Sequence, residues 1–150
     1  MKRFFFDTSA LLKIYHREEG TDACLGIYDS SDVITISELA RVELHSTLYR
    51  KLREGNLKTK ALDAVLKRFA SDQENRFEVL SITSLVFDEA CRLLATHSPA
   101  LSLRTLDSLQ AAAFLACCEI GQDCFVCADR RLVGVLSMEN ADVMLVGSEK

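Results

Sequence analysis

Short apolar runs alternate with helical-period segments from one end of this chain to the other, and that alternation constrains the fold more than any other feature. The first run, KRFFF at 2–6, stops at an acid, Asp7. Ala10, Leu11, Ile14 and Tyr15 follow at the three- and four-residue spacing of a helix face. β-Branched or aromatic runs recur at 33–36, 77–82, 124–128 and 142–146, each read as a strand and the last as an edge strand. Helical patterns fill the intervals. They cover 8–16, about 20–30, a long helix capped by Ser37 and running to about 54, then 58–75. Further on come a helix from a Thr83 or Ser84 cap to 97, an interior helix over 104–120 that is apolar nearly all round, and 129–138. Such alternation predicts an α/β protein, a three-layer α/β/α sandwich around a mostly parallel sheet. Ligands in these folds bind outside the carboxyl ends of the strands.

A chain of 150 residues, 49 % of them apolar, can bury one sizeable core, so a single domain over 1–150 is expected. The formal net charge of −4 excludes a protein that coats nucleic acid through bulk charge. It leaves a nuclease open, because bound cations reverse the local sign of an acidic site. No window approaches the roughly 18 apolar residues of a membrane span. Asp7 and Lys13 interrupt the apolar start too early for a secretion signal. A cytoplasmic protein without a membrane partner is the expectation. Cys124 and Cys127 sit three apart on one expected strand and so point to opposite faces. Buried, reduced thiols are therefore expected for the six cysteines, rather than a zinc site or disulfides.

Four acids occupy matching places. Asp7 and Asp129 end strands that a parallel sheet would bring to one edge; Asp107 lies in the first turn of the expected interior helix, and Glu43 on the long helix beside Val42 and Leu44. Each has an ordinary explanation. Asp7 and Asp129 could cap the helices that follow them, Asp107 could pair with Arg104, and Glu43 could face water. Together they carry more. Carboxylates gathered near a core repel one another and resist desolvation, which calls for a cation. An all-oxygen set suits Mg²⁺ or Mn²⁺ rather than zinc. Such an arrangement can activate a water against a phosphodiester and stabilise the leaving oxygen.

At these residues the sequence resembles the PIN-domain family, and in particular its VapC-type toxins of bacterial toxin–antitoxin pairs. FFFDTSALLKIY is similar to that family's opening strand and first acid, SELARVEL to the second acidic motif, LRTLDSLQAAAF to the third and VCADRRL to the fourth. The resemblance covers nearly the whole chain. It implies a PIN-like sandwich and a metal-dependent endoribonuclease with catalytic Asp7, Glu43, Asp107 and Asp129. Asp7, Asp107 and Asp129 would hold Mg²⁺ or Mn²⁺, and Glu43 would complete the shell or orient the attacking water. It also implies an RNA substrate, a cognate antitoxin that inserts a segment into the groove, and a homodimer. Thr8 or Ser9 could donate a hydroxyl that orients a ligand carboxylate. Arg104 and Arg130 could contact the scissile phosphate. Where similar proteins carry a small polar residue two places before the last acid, this chain has Cys127.

The basic residues Arg50, Lys51, Arg53, Lys58 and Lys60 read first as a solvated helix–helix turn and second as a track for an RNA backbone. His16, His45 and His97 are scattered without a nucleophile at a recognisable spacing. Rival folds fit less well. A haloacid-dehalogenase-like phosphatase resembles D-x-D, and position 9 is Ser; a response-regulator receiver needs paired acids where Asp7 stands alone. Two functional alternatives keep the same fold: an RNA-processing nuclease without an antitoxin, and a non-catalytic protein-binding module.

Overall fold

The three phenylalanines of Arg3–Phe6, β1, alternate across the strand. Phe4 and Phe6 enter one hydrophobic core and Phe5 the other, so β1 divides two apolar layers. The computed structural model describes residues 2–30 and 33–147. After β1 come α1 (Thr8–Tyr15), α2 (Thr21–Asp29), β2 (Val33–Ser37), α3 (Glu38–Arg53) and α4 (Thr59–Asn75). They are followed by β3 (Phe77–Leu80), α5 (Ser84–His97), α6 (Thr105–Cys117), β4 (Cys124–Cys127), α7 (Arg130–Met138) and β5 (Asp142–Leu145).

The strands form one sheet in the order β3-β2-β1-β4-β5, and each of its four pairings is parallel. The expected sandwich is therefore present, with β5 at an edge. The chain winds outward from β1 to β3, then crosses back to place β4 on the other side of β1. That reversal opens a crevice between β1 and β4 at their carboxyl ends.

Helices α1 to α4 contribute buried side chains to the core that holds Phe4, Phe6, Ile34, Ile36 and Val126. Helices α5 to α7 cover the face that carries Phe5, Phe125 and Cys127. There the Phe5, Phe114 and Phe125 rings pack with centroids 5.3–5.8 Å apart, which pins α6 to the middle of the sheet.

Three expectations need correction. The interior helix is shorter than 104–120. Its buried stretch lies around 108–114, and it is exposed at both ends, with Leu106 turned to solvent. Ser37 stands at the N-cap of α3 but makes no capping bond; its buried hydroxyl points to α6 instead. The six cysteines are free thiols and Cys124 and Cys127 do face opposite cores, yet Cys91 and Cys117 lie at the surface. Cys91 lies on the outer face of amphipathic α5, and Cys117 at the exposed C-terminal end of α6. No helix among the described residues is long and apolar enough to cross a membrane.

Candidate active site

Asp7 follows β1 directly and caps α1. Its Oδ1 accepts from the Ala10 N–H at 3.0 Å and from the Ser9 hydroxyl at 2.6 Å. Ser9 Oγ in turn accepts from the Ala128 N–H at 2.9 Å, and the Asp7 N–H donates to the Val126 carbonyl at 3.1 Å. These bonds fasten the ends of β1 and β4 together. Asp129, two residues beyond β4, caps α7 by accepting from the Arg131 N–H at 2.8 Å. Asp107 sits in the first turn of α6. Three helix N-termini thus meet at one sheet edge, and their dipoles favour negative charge there.

Glu43, in the second turn of α3, does not face open water. Its Oε1 accepts from the Thr8 hydroxyl at 3.0 Å and from the Gln110 amide at 2.9 Å. All four acids line one pocket of about 210 Å³ together with Thr8, Ser9, Glu18, Arg50, Lys51, Arg104 and Gln110. Arg104 spans two of the acids, at 3.2 Å from Asp107 and 3.9 Å from Asp129.

The electrostatics record the crowding. Burial raises the proton affinity of Glu43, opposed by its bonds to Gln110 and Thr8 and reinforced by the charge of Asp107. Burial likewise raises that of Asp107, where Arg104 pulls downward and Asp129 pushes upward. Cys127 lies beneath, its thiol also pushed up by burial and by Asp7.

Of the residues singled out from sequence, Asp7, Glu43, Asp107, Asp129, Thr8, Ser9 and Arg104 come together here. Arg130 does not; it is exposed, outside the pocket wall. The basic turn divides, with Arg50 and Lys51 in the wall and Arg53, Lys58 and Lys60 elsewhere on the surface. Sequence reasoning missed Gln110 and Glu18. A signal for Gln110 existed: it is the one amide in an otherwise apolar stretch, one helical turn after Asp107, which puts the two on the same side of α6. Glu18, in the α1–α2 connection, pairs with buried Lys13 at 3.0 Å, a partnership with no sequence motif.

In donor chemistry the pocket fits a hard divalent cation, since carboxylate oxygens line it, and burial, with the charge of a neighbouring acid, raises the proton affinity of Glu43 and of Asp107. It is not a finished cage. Among the described residues, no three His, Cys, Asp or Glu side chains are grouped closely enough to grip an ion as they stand. Ser9, Arg104, Gln110 and the two helix caps hold the carboxylates instead.

Residues 4–131, a span that contains all four acids, match the family described as PIN domain. No curated protein matches the sequence. Solved structures share the fold. VapBC2 from Rickettsia felis, bound to a promoter DNA fragment, aligns at a TM-score of 0.66 and 14 % identity, covering 95 % of this chain and 97 % of that one. VapC20 from Mycobacterium tuberculosis, a toxin that cleaves the sarcin–ricin loop, aligns at 0.64 and 16 %, covering 87 % and 93 %. FitAcB from Neisseria gonorrhoeae aligns at 0.67 and 15 %, covering 94 % and 96 %.

Proposed function

This chain belongs to the PIN domain family, and on that premise we propose that it is a divalent-metal-dependent endoribonuclease, the toxin of a type II toxin–antitoxin pair. One observation carries the reading. Four carboxylates from α3, α6 and the ends of β1 and β4 share a single pocket at the sheet's reversal point, and two of them are pushed toward protonation there. A protein with no use for that charge would gain stability by replacing it.

In this proposal Asp7, Asp107 and Asp129 hold Mg²⁺ or Mn²⁺. The bound ion supplies charge stabilisation at the phosphodiester and lowers the pKa of a water. Glu43, anchored through Oε1, would orient an attacking water and accept a proton from it; a raised proton affinity suits a general base. Ser9 holds Asp7 in place, and Thr8 does the same for Glu43. Arg50, Lys51 and Arg104, at the pocket wall, meet the phosphates of single-stranded or loop RNA. Arg130 receives no role. The likeness to VapBC2 and FitAcB supports a cognate antitoxin partner; that it blocks the groove, and that the chain forms a homodimer, belong to the same proposal.

The test incubates purified protein with structured RNAs, with and without Mg²⁺ or Mn²⁺, beside an Asp7→Asn variant. Asparagine caps a helix as well as aspartate, so the variant removes charge and keeps the α1 start. Cleavage should need the metal and fall by about 10²–10³-fold in Asp7→Asn, the range for losing one electrostatic partner of a transition state. Cleavage that survives EDTA, or is unchanged in the variant, refutes the mechanism.

A further inference from the structure

We propose that Gln110 is a positioning residue: it fixes which oxygen of Glu43 faces the pocket and holds α3 against the helix that carries Asp107. The catalytic consequence rests on the nuclease reading above; the physical coupling does not.

Gln110 is 2 % exposed, in a helix stretch otherwise filled by alanines and Phe114. A hydrocarbon would pack there at no polar cost, so its amide needs a reason. Its Nε2 donates to Glu43 Oε1 at 2.9 Å and to Thr8 Oγ1 at 3.1 Å, and its Oε1 accepts from the Ser37 hydroxyl at 3.1 Å. With Glu43 ionised, as a general base must be, the orientation is fixed by chemistry. A carboxylate only accepts, so the amide nitrogen must face Glu43, and the carbonyl then faces the Ser37 donor. One side chain thereby joins β2, α1, α3 and α6.

Two consequences follow. Thr8 and Gln110 both donate to Oε1, which leaves Oε2 as the oxygen turned to the pocket. Gln110 also lies one turn after Asp107 on α6, so its bond to Glu43 fixes the spacing between two like charges that would otherwise move apart. Such outer partners typically alter rate or affinity by about 10–100-fold when removed.

The experiment uses Gln110→Met, which keeps length and volume and removes the donor. Expected is a kcat for RNA cleavage lower by about 10–100-fold with KM within about twofold, the pattern of an interaction felt in the transition state. In a Glu43→Gln background the same change should cost little more, because its effect passes through Glu43. A purely structural residue would cost the same in both backgrounds. An equal loss in both, or a kcat drop below about threefold in the intact background, overturns the proposal. Should Gln110→Met fail to fold, Ser37→Ala removes the hydroxyl that fixes the amide; a lower kcat supports the proposal and an unchanged kcat overturns it. A second arm needs no cleavage. The side-chain amide resonances of Gln110, assigned by their loss in Gln110→Met (or Gln110→Glu), should shift and exchange faster with solvent in Glu43→Ala than in wild type. Resonances indifferent to Glu43 overturn the coupling. If the wild-type protein cuts no RNA, the nuclease reading fails alone, and the amide arm still decides this one.

Discussion

Two clusters of buried polar side chains occupy opposite ends of one physical scale. Beneath α4, Asp72 is 5 % exposed and fully served: Tyr15 donates to one carboxylate oxygen at 2.6 Å and Tyr28 to the other at 2.9 Å. Arg68 lies over both rings, and Arg76 stacks on Tyr28 at 4.3 Å while donating to its carbonyl. Burial and Asp72 push the Tyr15 phenol up, which keeps it a neutral donor. In the pocket at the sheet edge, acids meet acids, and Arg104 spans a pair of them. The first cluster brings each charge its partners and so holds the fold together. The second sets like charges side by side, with hydrogen bonds from Ser9, Thr8 and Gln110 and the Arg104 guanidinium as their partners, and two of the acids are still pushed toward protonation. Polar burial alone therefore does not mark a candidate site; burial that sets like charges beside one another does.

The sharpest way to break this contrast is a pair of substitutions that each remove one negative charge. Asp107→Asn should abolish most RNA cleavage, by about 10²–10³-fold, and leave thermal stability unchanged or raised, since it removes repulsion from Glu43 and Asp129. Asp72→Asn should do the reverse. It sets an amide N–H against a tyrosine hydroxyl, costs about 1–3 kcal/mol and lowers Tm by several degrees, with cleavage at 25 °C retained. Assays of rate and Tm on both variants check this; a pocket variant that loses the most stability would erase the distinction.

A smaller effect sharpens it. Divalent cation should stabilise the folded protein through the pocket alone. Mn²⁺ or Mg²⁺ at about 100 times its Kd would add about 2.7 kcal/mol, read as a rise in Tm that EDTA reverses. The rise should vanish in Asp107→Asn and persist in Asp72→Asn. Equal rises in all three proteins would place the ion elsewhere.

The smallest effect is in pH. Glu43 and Asp107 bind protons more tightly when folded than as ordinary carboxylates. The native state thus carries protons that the unfolded chain has already released. Metal-free stability is fullest below the ordinary carboxylate range and falls as pH rises through the raised values. Denaturant midpoints across that window should drop more in wild type than in Asp107→Asn. Parallel curves would mean that Asp107 feels no such stress.

Much of the architecture was legible in the chain, for reasons visible residue by residue. FFF followed by an acid and a helix face is a strand, a cap and an amphipathic helix, and each follows from local spacing. The ordinary and the functional readings of the acids also proved compatible. Asp7 and Asp129 do cap helices and Asp107 does pair with Arg104, yet all three line the pocket. Capping uses one oxygen and one turn of backbone, so it aims the carboxylate instead of exhausting it. Less legible were the partners. Arg130 neighbours Asp129 in sequence but points away, whereas Arg50 and Lys51 reach the pocket from a turn that read as solvent. One residue of displacement on a helix turns a side chain by about 100°, which spacing to an unknown neighbour cannot resolve.

Taken alone, the sequence settled the order of strands and helices, the parallel sheet they imply, and four acids at positions where such a sheet gathers ligands. All of these depend on short-range periodicity and on the rule that side chains alternate or rotate along an element. Tertiary structure decided the rest: that Glu43 is held by Gln110 and Thr8, that Ser37 serves α6 and not its own helix, and that Arg104 bridges two carboxylates. The first two sets of contacts join residues 35 to 73 positions apart, and the bridge from Arg104 on to Asp129 depends on a helix end meeting a strand end. Their energies arise only once the core has closed and water has been excluded from around them.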